Sequence, residues 1–76
     1  MPKISLINYR DLAKVFELGG WEYIGTTGGH TQFRKAGFLR RVVIPKKKDI
    51  PVFIILNNLR TAKIFRDRYL ELLSNI

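Results

Sequence analysis

The sequence predicts an α+β domain: a helix, three antiparallel strands, then one or two further helices. Three observations predict it. Apolar residues recur at helical spacing from Tyr9 and stop at Gly19–Gly20. From Trp21 the period switches to two, punctuated by glycine turns, as far as Pro45. Helical spacing returns over Phe65, Tyr69, Leu72, Leu73 and Ile76. At 76 residues the chain is read as one domain, residues 1–76.

Taken in order, Asn8 suits an N-cap because its side-chain oxygen can accept from an unpaired first-turn amide. Tyr9, Leu12, Ala13 and Phe16 form the apolar stripe, widened by Val15, so residues 8–18 are predicted helical. Gly19 and Gly20 supply left-handed conformations that end it. A strand follows from Trp21, then a tight Gly28–Gly29 turn, a second strand over His30–Lys35 and a break at Ala36–Gly37. A third strand is expected from Phe38 to Ile44, ending at Pro45, which cannot donate to a ladder. Pro51 can open a helix, but Val52, Phe53, Ile54 and Ile55 are strand formers, so residues 50–59 are open to either reading. Thr61 reads as the N-cap of a terminal helix.

Composition narrows the chemistry. There is no cysteine, which fits a reducing compartment and removes thiolate, thiol-zinc and iron–sulfur chemistry. One histidine and six carboxylates make a metal site unexpected, and no cofactor motif is present. The patch Ile4–Ile7 is too short for a secretory signal, and Val52–Leu56 is too short for a membrane span. A soluble, cytoplasmic protein with no membrane partner is therefore expected. Fourteen Lys and Arg against six Asp and Glu give a net charge of +8, which attracts polyanions.

Strand parity then sorts the second strand. Phe33 belongs in the core with Thr31, which puts His30, Gln32 and Arg34 on the opposite, open face. Imidazole titrates near neutrality, at ~6.5 in model compounds, and so can take or give a proton. RNA carries its own nucleophile, the 2′-hydroxyl, and needs only acid–base help and positive charge to be cleaved. His30 with Arg34, Lys35 and Arg41 supplies those parts without a metal. Gly28 and Gly29 lack side chains and let a phosphate approach the backbone; Lys46, Lys47 and Lys48 offer an outer tether. A lone strand histidine is more often an ordinary surface residue, and glycine pairs are more often plain turns. On these grounds alone a non-catalytic RNA-binding module, or a small protein that recruits an acidic partner, competes with an enzyme.

Gly20-Trp21-Glu22 followed by Gly28-Gly29-His30 resembles the HicA-type mRNA interferase toxins, also called the YcfA-like family. Phe33 three residues after the histidine and Val43-Ile44-Pro45-Lys46 extend the resemblance, which spans about residues 8–73. Gly29 stands where the family usually has serine, Thr31 where a second histidine is frequent, and Arg60-Thr61 where a glycine is expected. The resemblance implies a double-stranded-RNA-binding-domain-like fold and a toxin of a type II toxin–antitoxin pair. It implies cleavage of mRNA with His30 at the catalytic position, and a HicB-type antitoxin as partner.

Overall fold

Helix α1 begins as its sequence requires: Asn8 Oδ1 accepts from the Arg10 amide at 2.9 Å, satisfying one of the amides a helix start leaves unpaired. The computed structural model describes residues 4–76; Met1–Lys3 lie outside them. The elements are α1 (Tyr9–Leu18), β1 (Glu22–Thr27), β2 (His30–Arg34), β3 (Val42–Pro45), α2 (Val52–Ala62) and α3 (Arg66–Leu73). This is the expected α+β order. Of the two glycines after α1, Gly20 is left-handed at φ 91°, while Gly19 stays at φ −79°.

The sheet is antiparallel with order β1-β2-β3. Phe33 lies opposite Tyr23 on one side and Val42 on the other, and Thr31 opposite Thr26 and Ile44. Thr31, Phe33, Val42 and Ile44 are all buried, which fixes the inner face of the sheet. Phe16 of α1 sits 6.3 Å from both Trp21 and Phe33, ring centre to ring centre. Ile55, Leu59 and Ala62 of α2 and Tyr69 and Leu72 of α3 close the same core. A bulge between Tyr23 and Gly25 adds Ile24 to β1, a device that increases strand twist.

Three expectations change, and one reading left open is settled. The third strand is shorter than Phe38–Ile44, because residues 38–41 leave the ladder. Phe38 turns inward at 4.9 Å from Trp21, and its amide closes a turn on the Lys35 carbonyl. Residues 52–55 are helical despite their β-branched content: Ile55, Asn58, Leu59 and Ala62 are buried at helical spacing, and that stripe overrides a weak propensity. Pro51 is its N-cap, and the Pro51 carbonyl accepts from the Ile54 and Ile55 amides. Thr61 does not cap the last helix. It lies inside α2 and its hydroxyl donates to the Asn57 carbonyl at 3.1 Å. Phe65, expected in the apolar stripe of the last helix, is instead its N-cap and is exposed.

Candidate nucleic-acid interface

The two-residue turn between β1 and β2 has Gly28 at φ 56° and Gly29 at φ 78°. Both values favour glycine, and the pair suits the right-handed twist of the flanking strands. A Cβ built at either would meet nothing within 4 Å, so the turn is open on its outside. His30 follows at once, paired with Thr27 of β1 and Pro45 of β3. Its Nδ1 lies 3.1 Å from the Gly28 carbonyl. A carbonyl oxygen only accepts, so this bond requires the hydrogen on Nδ1. In the neutral ring this leaves Nε2 as the nitrogen with the free lone pair.

The face that carries His30 is the uncovered one. Gln32 lies between Gly25 and Val43, and its Oε1 accepts from Arg41 Nη1 at 3.1 Å. Arg34 is paired with Glu22 at 3.4 Å, both side chains 65% exposed. Exposed pairs of this kind hold weakly, roughly 0–1 kcal/mol, so a phosphate can take the guanidinium. From His30 to Arg34 the strip spans about 13 Å at strand rise. At Arg34 it opens into a concavity of about 690 Å³ lined by Arg34, Lys35, Arg40 and Arg41, with Glu22 and Phe38 beside them.

The lysine loop is attached next to the histidine. The Lys46 amide donates to the Gly29 carbonyl at 2.8 Å, and the Lys47 carbonyl accepts from the Tyr9 amide at 3.2 Å. Lys46, Lys47 and Lys48 are exposed. Lys35 is placed differently from the other expected contacts. Its ammonium donates to the Gly19 carbonyl at 3.1 Å and lies 5.7 Å from the Phe38 ring centre. It ties the end of α1 to the sheet and also lines the concavity at Arg34.

Two cations escaped the sequence reading. Arg10 and Lys14 are one helical turn apart on α1 and line a groove with Lys46, Tyr9, Tyr23 and Thr26. Their i, i+4 spacing was a visible signal, but nothing in the sequence alone says which side of α1 meets the lysine loop. The Tyr9 phenol is held below its ordinary pKa, first by the hydrogen bond from Arg10 and then by the Arg10 and Lys46 charges. Glu17 lines the same groove and opposes these cations in part. Among the described residues, no three His, Cys, Asp or Glu side chains converge to hold a metal ion, and no helix is long and apolar enough to cross a membrane.

A family model described as the HicA toxin of bacterial toxin-antitoxin matches residues 9–64. The chain belongs to the HicA toxin family. The HicA match runs from the first residue of α1 to just past α2, so it contains the turn, His30, the strip and the lysine loop. Membership implies an antitoxin partner. No curated protein and no solved structure matches.

Proposed function

We propose that this HicA-family toxin is a cytoplasmic mRNA interferase, a metal-independent endoribonuclease in which His30 is the catalytic residue, and that a HicB-type antitoxin neutralises it. The observation that carries the reading is the exposed imidazole, its Nδ1 bonded to Gly28, at the head of a cationic strip. In the neutral ring, Nε2 takes the proton of a 2′-hydroxyl as its oxygen bonds to phosphorus. The phosphorus–O5′ bond breaks, and the leaving oxygen is protonated by the imidazolium or by water. The products are a 2′,3′-cyclic phosphate and a 5′-hydroxyl. Arg34 and Arg41 neutralise charge on the phosphates, the Gly28–Gly29 turn lets the backbone approach, Gln32 adds a neutral donor, and Lys46, Lys47 and Lys48 hold the flanking strand. Lys35 contributes indirectly, by fixing the sheet against α1.

Replacing His30 by Ala is expected to abolish RNA cleavage and growth arrest while leaving RNA affinity within about twofold, since an uncharged imidazole adds little to phosphate neutralisation. Cleavage by the wild type is expected to persist in EDTA. Equal growth inhibition by wild type and variant would reject catalysis by His30. A second reading has one observation in its favour: His30 is held by a backbone carbonyl and by no carboxylate, so the same face can bind RNA without cutting it. An intact substrate after prolonged incubation with wild-type protein would establish that reading.

A further inference from the structure

An apolar concavity lies between the end of α2 and the start of α3. It measures about 450 Å³, with Ile4, Leu56, Leu59 and Ile64 along it and Phe65 at one lip. Arg60, Lys63 and Arg66 complete the lining, and no carboxylate is among the described residues there. Phe53 and Leu56 are exposed one turn apart on α2 and extend the apolar surface away from the groove.

Two residues at this groove serve local structure poorly. Phe65 is 83% exposed, so it adds little to the core. It occupies an N-cap position but makes no side-chain capping bond, where Ser, Thr, Asp or Asn would satisfy a backbone amide. Lys63 is left-handed at φ 55°, the one non-glycine residue of the described chain with positive φ. The bonds Lys63 N–H to Arg60 and Ile64 N–H to Leu59 form a Schellman turn, whose left-handed position ordinarily favours glycine. Departures from local rules concentrate where a surface has another task.

We infer that this groove docks an acidic amphipathic helix of a protein partner. An apolar floor with cations at its rim matches a helix presenting apolar anchors at i, i+3 or i+4, and i+7, flanked by Glu or Asp. A second copy of this chain is a poor occupant, since each carries +8 and the rims repel. Nucleic acid is a poor occupant because the floor is aliphatic. The lining of this groove includes no residue of the sheet. Lys63 lies 6.0 Å from the Phe38 ring, beyond the end of β2, whereas His30 begins β2. A helix seated here leaves the open sheet face uncovered, so the inference stands or falls independently of cleavage by His30.

The test is selection of a random 14-residue peptide display library on the full chain, with counter-selection on a Leu56→Gln/Phe65→Ser double variant. Both side chains are exposed, so the double variant is expected to fold, as circular dichroism will verify. The charge-reversal variant Arg60→Glu gives a second readout without touching the apolar floor. Expected are peptides with the stated apolar spacing and Glu or Asp between. Their affinity should fall at least tenfold with the double variant, with Arg60→Glu, and between 50 and 500 mM salt. Amide shifts in labelled protein should cluster over residues 56–66 and spare His30. Enriched peptides that bind the double variant equally, basic peptides, or no enrichment would overturn the inference. So would a 15-nucleotide RNA that shifts the same residues and weakens on Phe65→Ser, or a dimer that dissociates on that substitution.

Discussion

Tyr69 is fully buried, yet its hydroxyl has no hydrogen-bond partner among the described residues. An unpaired buried hydroxyl costs about 1–3 kcal/mol in desolvation. Tyr69→Phe should therefore raise stability by about 1 kcal/mol, read as a higher midpoint in urea. Burial pushes the Tyr69 phenol above its ordinary pKa. The unfolded chain ionises first, near pH ~10, so Tyr69's share of stability is complete below that pH and is lost as pH rises beyond it. The gap between variant and wild type should widen from pH 8 to pH 11; a constant gap would place a water or an unseen donor on the hydroxyl. Lys63→Gly should also stabilise, by about 0.5–1 kcal/mol, because glycine takes the left-handed turn without strain. The same change removes a rim cation, so a selected acidic peptide should bind less tightly. At this scale parity was a good guide: it put His30, Gln32 and Arg34 on one face, and all three are there. Parity groups Lys35 with Thr31 and Phe33 instead, and its four-carbon stem reaches the Gly19 carbonyl across a distance no alternation rule encodes.

Elements were legible where one signal dominated and obscure where two competed. α1 had a cap, a stripe and a glycine stop, and its boundaries came out within a residue. Helix α2 did not declare itself, because its β-branched opening argues for a strand until the burial of Ile55, Asn58, Leu59 and Ala62 settles the period. The third strand was read too long because Phe38 looks like a strand former; its contact with Trp21, 17 residues earlier, is a tertiary fact. Thr61 misled because capping residues also occur inside helices, bonded back to the preceding turn. The two candidate caps can be separated by experiment. Asn8→Ala should cost about 1 kcal/mol, the usual loss for an N-cap. Thr61→Ala should cost next to nothing or stabilise by a few tenths of a kcal/mol, since alanine is the better mid-helix residue. Urea titrations of the two variants would show it, and equal losses would mean that Thr61 supports the α2–α3 connection in some further way.

Across the whole molecule, two cationic regions stand out, and a different partner is proposed for each. The sheet face and lysine loop join Arg34, Arg41, Lys46, Lys47 and Lys48 to the imidazole, while the α2–α3 groove joins three cations to an apolar floor. On the proposed reading, the first region exchanges counterions for phosphates. Binding of a single-stranded RNA there should weaken steeply with salt, because each neutralised phosphate releases condensed ions. With five cations engaged, log K against log salt should fall with a slope of about −3 to −4, at ~0.7 per contact. Arg41→Ala should reduce the slope by less than one unit and weaken binding alike across RNA sequences, as loss of a phosphate contact does. His30→Ala should leave the slope unchanged. A slope near zero would mean that the net charge of +8 serves an acidic protein and not RNA. Loss of slope on Arg60→Glu, with Arg41→Ala silent, would move the RNA from the sheet to the groove and overturn both assignments together.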